Sequence, residues 1–95
     1  MFVVILKFSE NRSNAPALMA DHNAWIARGF ADGVFLLTGG VLPNAGGAIL
    51  AHNATMEEIR SRVQEDPFVA EGVVEAETIE IKANRTDERL AFLTP

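Results

Sequence analysis

The stretch Ala15–Gly33, APALMADHNAWIARGFADG, decides how the rest of the chain can be arranged. It predicts a helix, because apolar residues recur in it at spacings of three and four, as on a helix face that packs on a core. That face comprises Leu18, Met19, His22, Trp25, Ile26, Gly29 and Phe30. His22 lies in the middle of the face, where a buried ring without a partner would cost about 1–3 kcal/mol. The fold must therefore supply a hydrogen-bond partner for His22.

Both ends of this helix carry sequence signals. Ser13 or Asn14 can cap its first turn. Pro16 is compatible with that turn, because its missing N–H costs nothing there. Gly33 is typical of a residue that follows the C-terminus of a helix.

The segment before the helix, Phe2–Phe8 (FVVILKF), predicts a strand in the interior of a sheet. Its residues are mostly β-branched or aromatic, and both alternating faces are apolar apart from Lys7, so we expect both to be buried. One face presents Phe2, Val4, Leu6 and Phe8, and the other presents Val3 and Ile5.

The remaining chain alternates between strands and short helices. A capping box formed by Thr55 and Glu58 marks the start of a second helix. Asp66 ends it, since the residue before a proline is pushed out of the α region. The last strand is more polar than the first, so we expect it at an edge of the sheet or half exposed. The predicted elements are strands Val34–Gly40 and Gly47–His52 joined by the turn Val41–Gly46, a helix Met56–Glu65, a short turn Phe68–Gly72 and a strand Val73–Lys82.

The order strand–helix–strand–strand–helix–strand is typical of the ferredoxin-like βαββαβ arrangement, an α+β fold with two helices on one face of an antiparallel sheet. We expect the domain to span residues 1–83, followed by a C-terminal tail over residues 84–95. Because the first three strands are apolar on both faces, the second face also needs a cover. A second copy of the sheet is the simplest cover, so the sequence predicts a homodimer.

Composition and charge exclude several classes of function. The net charge is −5, from 13 acidic and 8 basic residues without a cluster of Lys or Arg, which argues against nucleic acid or an anionic membrane as a partner. The chain has no cysteine, and its longest apolar run, Phe2–Leu6, is too short to cross a bilayer. It matches no phosphate loop, dinucleotide fingerprint or metal-ligand spacing, so no cofactor is predicted. We expect a soluble cytoplasmic protein.

Asp66 is the candidate partner of His22. It ends the second helix, where the helix dipole disfavours a carboxylate by about 0.3–1 kcal/mol, so another group is expected to hold it. A hydrogen bond with His22 is one interpretation; the other is that Asp66 caps the next turn with Pro67 in its first position. One carboxylate can accept both bonds. A core His22 satisfied by a backbone carbonyl or a water also stays open, whereas His52 is expected in a solvated loop.

A His–Asp pair suits general acid/base catalysis, because the carboxylate sets the tautomer of an imidazole that transfers protons near neutral pH. No Ser or Cys lies in a recognisable nucleophile motif, so a covalent triad is not indicated. Ser9, at the end of the first strand, can add a hydroxyl to the same pocket. The backbone of Thr38, Gly39 and Gly40 can come close to an anionic substrate.

In this order and spacing, the segments resemble the YciI-like (YCII-related) proteins of the dimeric α/β-barrel superfamily over Met1–Lys82. The resemblance rests on FVVILKFS, HNAW, GVFLLTGG, GGAILA and above all EDPF near the end of the second helix. It implies a ferredoxin-like subunit whose sheets pair into a dimeric barrel, with an active site centred on His22 and Asp66. Relatives often have Ser-Gly-Pro where this chain has Thr38-Gly39-Gly40, which alters the local backbone.

The resemblance also implies an enzyme without a cofactor, since relatives include a dehydrochlorinase of a chlorinated hydroxyhydroquinone. The wider superfamily holds muconolactone isomerases and cofactor-free monooxygenases. The first hypothesis is a lyase, isomerase or dehalogenase acting on a small polar or aromatic ring compound, in which His22 moves a proton and Asp66 orients it. The alternative is a dimeric small-ligand-binding or accessory module with a structural His–Asp pair. A monooxygenase is a third possibility.

Overall fold

The computed structural model describes residues 1–94 and has the predicted α+β architecture. Four antiparallel strands form a sheet in the order β2-β3-β1-β4, with the helices on one side. The ferredoxin-like prediction is confirmed. The elements are β1 (Phe2–Phe8), α1 (Ala15–Ala31), β2 (Phe35–Val41), β3 (Gly46–Ala51), α2 (Met56–Gln64), α3 (Pro67–Ala70) and β4 (Val74–Glu80). Short 3-10 turns at Arg12–Asn14 and Glu88–Leu93 complete them.

Strand β1 lies in the interior of the sheet, as its apolar sequence predicts. It pairs with β3 on one side and β4 on the other, so that Val4 lies opposite both Ile49 and Thr78. The more polar β4 is at an edge, which is also as predicted.

The core lies between the sheet and the helices. Trp25 is its largest fully buried side chain, and its Nε1 donates a hydrogen bond of 3.0 Å to the carbonyl oxygen of Arg62, which ties α1 to α2. Gly29 allows α1 to approach the sheet, because a Cβ there would come within 2.1 Å of the Phe35 ring. The other buried apolar residues include Phe2, Val4, Leu6, Ile49, Ile59, Val63 and Phe68.

The start of α1 differs from the prediction. Asn14 occupies the N-cap position, but its side chain makes no capping hydrogen bond, and Ser13 lies within the preceding 3-10 turn. An N-cap side chain reaches the first N–H groups from an extended backbone. Asn14 instead has φ −82° and ψ −5°, so the chain enters the helix already helical. Pro16 lies in the first turn, as predicted.

The start of α2 is the predicted capping box. The Thr55 N–H donates to Glu58 Oε1 at 2.9 Å, and the Glu58 N–H donates to Thr55 Oγ1 at 3.2 Å. Hydrogen bonds from Thr55 hold the pKa of the Glu58 carboxyl below its usual value. The bond from the Thr55 N–H has the larger effect, and the Thr55 hydroxyl has the smaller one.

One face of the sheet is open in the single chain. The prediction that β1 is buried on both sides therefore applies to one face only, since Val3 and Ile5 are half-buried. Leu37 and Ile79 lie on the same open face, with 52% and 41% of their surface exposed.

The tail continues from β4 into the 3-10 turn Glu88–Leu93. The ring of Phe92 lies edge-on to the ring of His52, with centroids 5.5 Å apart. His52 lies between β3 and α2, as predicted, but it is half-buried rather than solvated, because Phe92 packs on it. Within residues 1–94, no helix is both long enough and apolar enough to span a membrane.

Candidate active site

His22 and Asp66 meet although they come from different helices. His22 lies on the inner side of α1, and Asp66 lies at the junction of α2 and α3. His22 Nδ1 is 2.8 Å from Asp66 Oδ1, and the side chains are 12% and 0% exposed. The apolar face of α1 therefore contacts a buried carboxylate through His22.

Asp66 has a second role as the N-cap of α3. Its backbone is extended, with φ −65° and ψ 121°, and its Oδ1 accepts a hydrogen bond of 3.0 Å from the Phe68 N–H. One carboxylate oxygen thus accepts from both His22 and the helix terminus. The other oxygen, Oδ2, is buried and has no hydrogen-bond donor among residues 1–94.

The imidazole of His22 is also held by an aromatic stack. The Phe68 ring lies parallel to it, with centroids 3.9 Å apart and an angle of 3° between the planes. The indole of Trp25 is further away, at 6.0 Å. Because Asp66 Oδ1 is an acceptor, it orients the ring with the Nδ1 proton toward it, and Nε2 is the ring nitrogen that this contact leaves without a partner. Nε2 makes no hydrogen bond within residues 1–94.

The imidazole borders a cleft of about 380 Å³. The apolar part of its wall comes from Leu6, Phe8, Met19, Phe68 and Val74. The polar part comes from His22 and Asn23, and the rest is backbone of Gly39, Gly40, Gly46 and Gly47. The cleft is thus a mostly apolar space with an imidazole in its wall.

Glycines create the space beneath α1. Gly40 pairs with Gly47 on the face of the sheet that the helices cover, so neither strand places a side chain there. A Cβ added to Gly40 would meet only the carbonyl oxygen of Gly46, at 3.9 Å. Gly39 contributes only its backbone to the cleft, because a Cβ there would lie on the open face of the sheet. A glycine inside a strand costs stability and often marks a place that a ligand approaches closely.

The structure brings together part of the predicted site. His22, Gly39 and Gly40 line the cleft, and Asp66 lies behind His22. Ser9 and Thr38 are adjacent in sequence to Phe8 and Gly39, but they do not line it. The Ser9 N–H donates to the Val73 carbonyl oxygen at 2.9 Å, and Thr38 pairs with Ile49 in the sheet.

Sequence reasoning missed the apolar wall. Phe68 has a signal, since it directly follows Asp66-Pro67 and a cap places its ring near the capping residue. Phe8 and Asn23 carry no such signal in the sequence, because only the tertiary arrangement of β1 and α1 brings them to the same cleft. Within residues 1–94, no three His, Cys, Asp or Glu side chains are arranged to hold a metal ion.

The sequence profile of the YCII-related domain matches residues 1–82. The chain belongs to the YCII-related family. No protein with a curated description matches the sequence significantly.

A solved structure also resembles this YCII-related protein. It is the 5-chloro-2-hydroxyhydroquinone dehydrochlorinase of Burkholderia phenoliruptrix AC1100, in complex with 2,5-dihydroxybenzoquinone. The TM-score is 0.70 at 17% sequence identity, over 88% of this chain and 96% of the other. At this identity the likeness supports the fold.

Proposed function

We propose that this YCII-related protein is a small enzyme of lyase, isomerase or dehalogenase type, in which His22 transfers a proton. The observation that supports it best is the 2.8 Å contact between His22 Nδ1 and Asp66 Oδ1 next to an open cleft. The contact leaves Nε2 as the nitrogen available to a substrate. General acid/base catalysis by such a group contributes about 10²–10⁴-fold to a rate.

In the proposed mechanism, His22 Nε2 takes a proton from the substrate and returns it to another atom or to a leaving group. Asp66 keeps the ring in the correct tautomer and balances the charge of the imidazolium that forms. The stack with Phe68 keeps the ring from turning away. These residues supply acid/base chemistry themselves, so the proposal needs no cofactor.

The buried oxygen Asp66 Oδ2 supports a functional pair over a structural one. A buried acceptor without a donor costs about 1–3 kcal/mol. A buried carboxylate oxygen without a partner in the protein calls for an explanation, and a catalytic role of the pair is one.

A small ring compound is the proposed substrate class. The apolar walls and the glycine backbone beneath α1 suit a flat molecule that presents an edge to His22. The Burkholderia dehydrochlorinase, which has the same fold, binds the ring compound 2,5-dihydroxybenzoquinone. Ser9 and Thr38 are adjacent in sequence to the cleft residues Phe8 and Gly39. Their contribution to substrate binding stays a prediction.

We also infer that the protein works as a homodimer. The open face of the sheet presents Val3, Ile5, Leu37 and Ile79, and stacking of two such faces would bury them. Residues 84–95 are proposed as a tail outside the family domain, and a cytoplasmic location stays a prediction from the sequence.

A dimeric small-ligand-binding or accessory module is the second candidate. The observation that favours it is that Asp66 caps α3 while His22 stacks on Phe68, since these contacts alone can account for the pair. In that case the cleft binds a ligand without changing it.

One substitution of His22 tests the proposal. In His22→Asn the side-chain amide takes the place of Nδ1 and can still donate to Asp66, but Nε2 is lost. The catalytic proposal predicts a normal melting temperature and a turnover lower by about 10²-fold or more for His22→Asn. The test assays ring compounds, starting with 5-chloro-2-hydroxyhydroquinone. Unchanged turnover in His22→Asn would contradict the proposal, and ligand binding without turnover in the wild type would favour the module.

A further inference from the structure

Arg12 is an exposed side chain that does not itself line the cleft but packs on Phe8, a residue of the cleft wall. Its Cζ lies 4.1 Å from the centroid of the Phe8 ring, and Phe8 lines the cleft. Its Nη2 donates a hydrogen bond of 3.3 Å to the carbonyl oxygen of Asn44, in the turn that leads into Gly46. One residue of the cleft wall and the turn that leads into another therefore hold the guanidinium next to the cleft.

The backbone beside Arg12 is anchored on the opposite side. The Asn11 N–H donates to the Gly72 carbonyl oxygen at 3.1 Å, and Asn11 Nδ2 donates to the Glu71 carbonyl oxygen at 2.9 Å. These bonds attach the turn to the segment that joins α3 and β4. A cation that is already held in place loses less conformational entropy when a ligand binds.

The guanidinium has free donors and no carboxylate partner among residues 1–94. A guanidinium carries five N–H donors, of which the Asn44 carbonyl takes one. The arginines that form ion pairs in this part of the chain are Arg62, with Asp32, and Arg89, with Asp87. No side chain that lines the cleft is acidic. Arg12 is thus a cation without an acidic partner beside the cleft, on a chain whose net charge is −5.

We propose that Arg12 binds the anionic group of the substrate, so that the cleft selects a ring compound with a carboxylate or an ionised hydroxyl over its neutral analogue. This inference rests on the proposed function. The Phe8 ring supports the guanidinium by a cation–π contact, and the planar fork of donors matches the two oxygens of a carboxylate. Arg12 is therefore a specificity residue, and His22 remains the group that moves the proton.

Two matched pairs of probes test the proposal by NMR titration of the full chain. Benzoate and benzamide share a flat ring and differ in charge. The pair 2,5-dihydroxybenzoquinone and 2,5-dimethoxybenzoquinone replaces the carboxylate by ionised hydroxyls, so the two pairs distinguish the sources of the negative charge. Each probe is titrated into wild type, Arg12→Gln, Arg12→Lys and the control Arg60→Gln. Arg60 lines a groove between α2 and β4 that shares no residue with the cleft, so the control removes an equal charge elsewhere.

We expect the wild type to prefer the anion in at least one pair, and Arg12→Gln to weaken binding of that anion on the order of 10-fold. Binding of the neutral partner should not change, and Arg60→Gln should leave both unchanged. Raising the salt concentration should shrink the preference. Arg12→Lys should restore part of it, because the charge returns without the fork.

Equal weakening of anion and neutral probe in Arg12→Gln would overturn the inference, since it would show that Arg12 only supports Phe8. A wild type without any preference for the anion would overturn it as well. Should Arg12→Gln fail to fold, two other measurements test the inference. They are the salt dependence of the anion preference in wild type and the anion preference of Arg12→Lys. These are binding measurements, so they stay independent of the turnover test of His22.

Discussion

His22 Nδ1 lies 2.8 Å from Asp66 Oδ1, although 44 residues separate the two in the chain. The same oxygen accepts the Phe68 N–H, so the position of the imidazole is coupled to the start of α3. The cap fixes the carboxylate, the carboxylate orients the ring, and the proposed chemistry uses Nε2.

Asp66→Asn should lower turnover with little loss of stability. Asparagine caps helices about as well as aspartate, so its oxygen can still accept from Phe68. The charge that balances an imidazolium is lost, and we expect turnover to fall by about 10²-fold or more. Asp66→Ala is the matched control for the cap and should lose about 1–3 kcal/mol in the free energy of unfolding. Urea melts and assays of both variants check this; equal turnover in wild type and Asp66→Asn would contradict it.

Gly40→Ala should weaken ligand binding without destabilising the fold. Gly40 does not have a positive φ, and an added Cβ would meet only one atom, at 3.9 Å. The free energy of unfolding should stay within about 0.5 kcal/mol of the wild type, while the methyl group narrows the cleft and weakens binding by about 10-fold or more.

Gly39→Ala is the control for that substitution. The register places its methyl group on the opposite, open face of the same strand. Titration of both variants with 2,5-dihydroxybenzoquinone compares them. Equal affinity in Gly40→Ala and wild type would show that the glycines beneath α1 do not form part of the binding site.

Gly29→Ala, unlike Gly40→Ala, should destabilise the fold. Its Cβ would lie 2.1 Å from Phe35 Cδ2, inside the packed contact of α1 with β2. Overpacking of this kind costs about 1–3 kcal/mol. The double variant Gly29→Ala/Phe35→Leu should recover part of the loss, because the smaller side chain can move away. Thermal melts of the single and double variants measure it, and an unchanged melting temperature in Gly29→Ala would count against the packing described for α1.

The capping box should make a contribution to stability that depends on pH. The Thr55 N–H holds the pKa of Glu58 below its usual value, so folding favours the ionised carboxyl. Its contribution is fully present above the pKa of the unfolded chain and is lost as the pH falls through the lower pKa of the folded chain. Glutamine can keep the hydrogen bonds of the box. Glu58→Gln should therefore melt below wild type at neutral pH and approach it under acid conditions. A difference that grows as the pH falls would contradict the assignment.

Ile5→Lys should separate the proposed dimer into folded monomers. Ile5 is half-buried on the open face of β1, so a lysine there reaches solvent in the single chain but faces its own copy in a stacked dimer. We expect the dimer Kd to rise by about 10-fold or more. Sedimentation of the variant is compared with Ala17→Lys, which adds the same charge on the exposed side of α1. A wild type that sediments as a monomer would end the dimer proposal.

The order of elements could be predicted from the sequence because local rules act within a few residues. The apolar β1 had to lie inside the sheet, and Thr55 with Glu58 had to begin a helix. The N-terminal cap of α1 could not be predicted in the same way. Whether Asn14 caps depends on its backbone conformation, which the preceding 3-10 turn determines.

The sequence alone determined that His22 needs a partner and that Asp66 needs something to hold it at the end of a helix, because burial and the helix dipole act on each residue locally. Only the tertiary structure decided that each satisfies the other, that Phe68 stacks on the ring, and that paired glycines leave a cleft beside it. Those contacts depend on how α1 crosses the sheet relative to α2 and α3. That arrangement is set by the packing of the whole core around Trp25 and by no single segment of the chain.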